Sequence, residues 1–140
     1  MKVVAIVQAR TKSVRLPGKV MKEICGVPMI GLLLKRLLLA KKVNEVVVAT
    51  SENESDKNLV KYLEKEKYNI FIGSEINVLE RYYKAAKQYE ADTIIRITAD
   101  NPLTDPKMVD DLVEIFNKNK KDYVTNSWPP TYPWGLNLEI

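Results

Sequence analysis

The sequence has no histidine and a single cysteine, Cys25, among its 140 residues. Without histidine, Ser-His and Cys-His nucleophilic pairs and His-zinc centres are excluded. One thiol makes no internal disulfide and no metal cluster, and it fits a reducing compartment. Long apolar runs are missing as well. The run Val3–Val7 is too short for the core of a signal peptide, and no cleavage-like site follows it. The richest apolar stretch, 29–40, is interrupted by Lys35 and Arg36 and falls far short of a membrane span. The expectation is a cytoplasmic protein with no membrane partner. Strong charge of one sign is also lacking. A net charge of +4, with Lys and Glu interspersed, argues against nucleic-acid binding driven by bulk charge. Neither an internal repeat nor a low-complexity segment occurs.

What is present has the composition of an ordinary globular domain, 46% apolar and 29% charged, and the length of a single domain. Apolar β-branched runs alternate with stretches of helical period. Strands are expected at 3–7, 45–49, 70–72 and 93–98, with a fifth at 123–126 and a sixth at 136–140. Helices are expected from Pro28-Met29 to about Lys41, from Asp56 to Lys67, from Asn77 to Glu90, and from Asp105-Pro106 onward. Asn77 with Glu80 makes a capping arrangement, and Asp105 followed by Pro106 sets an acid at the N-cap and proline at the first helical position. This β-α-β-α order implies a mostly parallel sheet with helices on both faces. Such sheets bind ligands at the carboxyl ends of their strands, near the point where strand order switches. That rule selects the loop after the first strand and the loop after the strand at 93–98. The end, Leu138-Glu139-Ile140, reads as the middle of a strand, which suggests either a fragment or a strand completed by a partner chain.

The first of those loops carries Arg10, Lys12, Arg15 and Lys19, with Ser13 among them, directly after a buried strand. Backbone amides, hydroxyls and closely spaced cations are what a triphosphate requires. A solvated basic loop is the bland reading, and the position of the loop favours phosphate. The spacing is not that of a Walker A loop. In the second loop, Asp100 leaves the strand where a carboxylate can hold Mg²⁺ together with phosphate oxygens and water. A turn-forming Asp before Asn101-Pro102 explains the same residues. The aromatic and proline-rich segment Trp128–Gly135 is open to three readings: a rigid connector, a wall of a sugar site, or a polyproline II ligand for another protein. Cys25-Gly26 reads as a turn.

The segment Ala9-Arg10-x-x-Ser13-x-Arg15-Leu16-Pro17-Gly18-Lys19 resembles the signature loop of the CMP-sugar synthetases, which activate 3-deoxy-octulosonate and the sialic acids. Gly26-x-Pro28-Met29-Ile30 and Val48-Ala49-Thr50-Ser51 also match. Phe71-x-Gly73-Ser74, Val78-Leu79-x-Arg81-Tyr82, Arg96–Pro102 and Pro130-Thr131-Tyr132-Pro133-x-Gly135-Leu136 are similar to the spore-coat-polysaccharide branch of that acylneuraminate cytidylyltransferase family. The resemblance runs through nearly the whole chain in order. It implies a Rossmann-like nucleotide-diphosphosugar transferase fold in a single domain, 1–140, lacking the family's C-terminal part. It further implies a homodimer and transfer of CMP from CTP to an acidic sugar. By the same resemblance, Ala9, Arg10, Ser13, Arg15 and Lys19 hold the nucleotide phosphates, Gly73, Ser74 and Arg81 lie by the base or ribose, and Asp100 holds Mg²⁺. Arg15, Lys19 and Asp100 are then the catalytic groups. Asn137 departs from the pattern, standing where related sequences show Gly-Leu-Asp, and an amide brings no negative charge to a metal. Two alternatives remain: an inactive nucleotide-binding module of the same fold, and a nucleotidyltransferase for another base and a neutral sugar. The second usually carries a glycine-rich first loop, where this chain has Gln8-Ala9-Arg10.

Overall fold

A computed structural model describes all residues, Met1–Ile140. Its centre is β1 (Val3–Gln8), whose first five residues are buried on both faces, as a run of β-branched residues in an inner parallel strand requires. β1 is followed by a short hairpin, β2 (Glu23–Ile24) and β3 (Val27–Pro28), and by helix α1 (Met29–Leu37). Then come β4 (Glu45–Ser51), α2 (Lys57–Lys65), β5 (Asn69–Gly73), α3 (Val78–Gln88), β6 (Thr93–Thr98) and α4 (Pro106–Asn119). The four long strands are parallel and ordered β5-β4-β1-β6. The connection from β5 to β6 passes β4 and β1, so the order reverses at β1.

Alternation along β1 divides the core. Val3, Ala5 and Val7 face α1, α2 and α4, through Leu33, Leu37, Leu63 and Val109 among others. Val4 and Ile6 face the other way, against Tyr82, Ala85 and Ala86 of α3. Helices therefore cover both faces, as the element order requires.

Several boundaries differ from the sequence expectation. α1 stops at Leu37 rather than near Lys41, because the Lys41 and Lys42 amides donate to the Asp110 carboxylate of α4 at 3.0 and 2.8 Å. The β2–β3 hairpin is unexpected, although its turn is the Cys25-Gly26 pair, both at positive φ as a two-residue hairpin turn demands. The fifth and sixth strands form only isolated bridges, Thr125 with Glu139 and Glu139 with Arg96. Side chains take part of the ladder there: Asn126 accepts from the Leu138 amide and donates to the Leu136 carbonyl, and Thr125 donates to the Leu138 carbonyl. The caps agree with expectation. Asn77 accepts from the Glu80 amide at 2.9 Å and Asp105 from the Lys107 amide at 2.7 Å. No helix is long and apolar enough to cross a membrane.

Candidate active site

The reversal of strand order at β1 separates the carboxyl ends of β4 and β6 and leaves a crevice above β1. A cavity of about 350 Å³ opens there. One wall is the loop after β1, contributing Arg10, Lys12, Ser13, Arg15 and Lys19. The opposite wall is the end of β6, with Arg96, Thr98 and Asp100, and Gln8 lies between the two.

The basic loop is held in shape from behind. Thr11 donates to the Asp56 carboxylate through its amide at 2.6 Å and its hydroxyl at 2.7 Å, and the Ser51 hydroxyl donates to the same carboxylate. Asp56 is 1% exposed. Burial pushes its carboxyl up, but the hydrogen bonds from Ser51 and Thr11 outweigh burial and hold it below the usual value. The loop closes through the Gly18 amide on the Thr11 carbonyl at 2.9 Å, with Gly18 left-handed at φ 67. A short 3₁₀ turn, Lys19–Met21, follows and plugs Val20 into the core.

This scaffold presents Lys19 across the cavity, its Nζ 2.5 Å from Asp100 Oδ2. Burial raises the Asp100 carboxyl, but hydrogen bonds from Lys19 and Thr98 and the Lys19 charge leave it below its ordinary value. Lys12 pairs with Glu75 at 2.8 Å, and Asn53 binds the other oxygen of that carboxylate at 2.6 Å. These two bonds, Lys12 first, hold Glu75 below its usual value. Arg10 and Arg15, both exposed, make no ion pair and no side-chain hydrogen bond, so their charge is free for an anion.

The structure thus brings Arg10, Ser13, Arg15, Lys19 and Asp100 to one cavity. Ser13 is partly engaged, its hydroxyl accepting from the Leu16 amide at 3.3 Å. Ala9 borders that group but is buried, and its amide is committed to the Ala49 carbonyl at 3.2 Å. Gly73, Ser74 and Arg81 lie outside the cavity lining. Gly73 has a steric reason: an added Cβ would stand 2.7 Å from the Phe71 ring. Arg81 is 1% exposed and donates from Nη1 to the Ser74 carbonyl at 2.6 Å, while its Nε and Nη2 have no partner. Asn137 serves the loop itself, accepting from the Gly135 amide and donating to the Ser127 hydroxyl, each at 3.2 Å.

Sequence reasoning passed over Asp56, Glu75 and Arg96. Asp56 and Glu75 act through partners 45 and 63 residues away, a distance at which no local pattern announces the pair. Arg96 carried a usable signal, being the charged residue in an otherwise apolar and threonine strand.

One carboxylate fits a Mg²⁺ ion held mostly by substrate phosphates and water, since Mg²⁺ takes one or two carboxylates in such sites. No group of three acidic, His or Cys side chains forms a cage of its own.

The sequence model of a family described as cytidylyltransferase matches residues 4–132. The spore coat polysaccharide biosynthesis protein SpsF of Bacillus subtilis is 34% identical over 122 residues, 84% of this chain and 51% of its own length. A cytidylyltransferase from Leptospira borgpetersenii superposes with a TM-score of 0.94 at 36% identity, over 99% of this chain and 59% of that one. A CMP:2-keto-3-deoxy-manno-octonic acid synthetase complexed with CTP gives a TM-score of 0.76 at 27% identity, over 86% of this chain and 49% of that one. The chain spans about half the length of the curated relatives it matches.

Proposed function

The chain belongs to the cytidylyltransferase family, and from that membership we propose that its cavity binds CTP and that the protein transfers CMP to an acidic sugar. The observation that carries the reading is the pair of uncommitted arginines, Arg10 and Arg15, sharing one cavity at the strand-order switch with the Lys19–Asp100 pair. The likeness to a synthetase complexed with CTP supports it.

In this reaction the sugar hydroxyl oxygen forms a bond to the α-phosphorus. The bond from that phosphorus to the bridging oxygen breaks, and pyrophosphate leaves with the electron pair. The hydroxyl proton passes to solvent. Positioning and charge neutralisation supply most of the rate in such displacements. Arg10 and Ser13 orient the triphosphate. Arg15 and Lys19 meet the charge that grows on the leaving pyrophosphate. Asp100 would hold Mg²⁺, which when bound supplies further neutralisation of phosphate charge. Gly73, Ser74 and Arg81 belong to the nucleoside end of the same reading, with the buried Arg81 holding the Ser74 carbonyl in place. A homodimer of single-domain chains is part of the proposal, and sedimentation velocity tests that part.

The test of the central claim is a thermal-shift titration with CTP, UTP, ATP and GTP, each with Mg²⁺. A rise in midpoint with CTP alone is the expected result. Absence of any shift removes the nucleotide reading. A shift with CTP but no pyrophosphate release on adding sugar acids identifies a binding module instead of an enzyme.

A further inference from the structure

We propose that Arg96 receives the carboxylate of the acceptor sugar, on the wall of the cavity opposite the phosphate loop. The proposal rests on the CTP reading above. Arg96 sits in β6 opposite Ile6, and two residues on, Thr98 pairs with Gln8. Alternation puts the Arg96 and Thr98 side chains on one face of the sheet. On that face α3 packs over β1, β4 and β5 and reaches β6 through Tyr82 and Ile94, leaving the Arg96 end of the strand more open. The Arg96 side chain is accordingly 45% exposed, and it lines the same cavity as Lys19 and Asp100.

Direction of attack singles this residue out. Every other cation of the cavity, Arg10, Lys12, Arg15 and Lys19, stands on the loop after β1. If that loop holds the leaving pyrophosphate, in-line displacement brings the nucleophile from the far side of the α-phosphate, which is the β6 wall. Arg96 is the cation there. In a 2-ulosonic acid the carboxylate is borne by the anomeric carbon, so a cation that fixes the carboxylate also fixes the attacking hydroxyl beside it.

The guanidinium has capacity for this role. Its Nη1 alone meets both Glu139 oxygens, each at 3.0 Å. That is not the two-pronged contact that guanidinium and carboxylate usually form, so the rest of the fork lacks a carboxylate partner. Glu139 serves as the resting counter-charge. Beyond Arg96 the wall continues into a groove of about 480 Å³ bordered by Leu79, Ile94, Tyr123 and Ile140, which offers apolar surface to the uncharged part of the acceptor.

The test is calorimetric titration of protein saturated with α,β-methylene-CTP and Mg²⁺. The probes are 3-deoxy-manno-octulosonate, N-acetylneuraminate and the C1 amide of each. We expect wild type to bind at least one acid tenfold or more tighter than its amide. Arg96→Gln should close that gap by weakening the acid alone, and Arg96→Lys, which keeps a point charge, should retain part of it. Glu139→Gln should preserve or widen the gap. A gap that survives Arg96→Gln overturns the proposal, as does a gap lost equally in Glu139→Gln, which would make the pair structural. Wild type that binds amides as well as acids, or neither, also overturns it. The affinity for the CTP analogue, measured first, separates the two readings: no analogue binding defeats the CTP reading itself, whereas analogue binding without an Arg96-dependent gap defeats only this inference.

Discussion

Lys19 Nζ lies 2.5 Å from Asp100 Oδ2, joining the loop after β1 to the turn after β6 across the mouth of the cavity. The two residues are 81 positions apart, and each is the other's counter-charge when no triphosphate is present. The Gly18 turn and the buried Val20 fix the backbone on either side of Lys19, so the cation is delivered by rigid neighbours. Binding of nucleotide and metal has to exchange this pair for two others, lysine with phosphate and aspartate with the cation. The pair thus preorganises charge at the place where the proposed reaction develops it.

Lys19→Ala tests the lysine half of that exchange. Pyrophosphate release from CTP and a sugar acid should fall by about 10²–10³, the usual loss when one preorganised charge stabiliser is removed. Folding should scarcely change, because partly exposed ion pairs contribute little to stability. A coupled pyrophosphate assay beside a melting curve reads both quantities, and undiminished release removes Lys19 from the mechanism.

Asp100→Asn separates metal holding from electrostatic cost. Without divalent cation the carboxylate repels the triphosphate, so the amide variant should bind CTP about fivefold more tightly in EDTA, the ~1 kcal/mol of a like charge near contact in water. With Mg²⁺ the order should invert, and turnover should fall with it. Titrations with and without EDTA supply the comparison. An affinity for CTP that responds to Mg²⁺ as wild type does would show that another group holds the ion.

How far the sequence carries can be judged residue by residue. β1, β4 and β6 announce themselves through β-branched runs, and the switch-point rule then locates both loops of the cavity without coordinates. Arg10, Arg15, Lys19 and Asp100 were legible because loop chemistry is local. Asp56 was not, because its reach to Thr11 depends on how the β1 and β4 loops dock. The tail 123–140 misled for a related reason. Its alternation suits strands, yet Asn126 and Thr125 side chains carry bonds that backbone groups would carry in a ladder.

Asp56 yields a stability prediction with a definite sign. Its folded carboxyl is held below the ordinary value of 3.8, by the hydrogen bonds from Ser51 and Thr11 against burial. Its contribution is therefore present above that ordinary value and is lost as pH falls through the lower folded value. Asp56→Ala should cost about 2–3 kcal/mol at neutral pH, since buried donors lose a charged acceptor. The difference between wild type and variant should shrink in acid. Urea unfolding at pH 7 and near pH 3 measures it, and a difference independent of pH would show that the ionised form is not the one stabilised.

Arg81 sets stability against binding. Its guanidinium is buried with Nε and Nη2 unpaired, and burial pulls its pKa below the ordinary value. An orphaned buried donor costs about 1–3 kcal/mol, whereas an apolar side chain of similar length carries no such cost. Arg81→Met should therefore leave the empty protein as stable as wild type or more so, even though the bond to the Ser74 carbonyl is lost. If Arg81 sets the nucleoside end of the site by holding the Ser74 carbonyl, the same variant should bind CTP about tenfold more weakly, because a hydrogen bond from a charged donor is worth about 1.5–3 kcal/mol. Gain or parity in melting temperature combined with loss of affinity is a signature that a purely structural arginine does not give. A destabilised variant with unchanged CTP affinity would assign Arg81 to the scaffold and leave base and ribose to the backbone around Gly73.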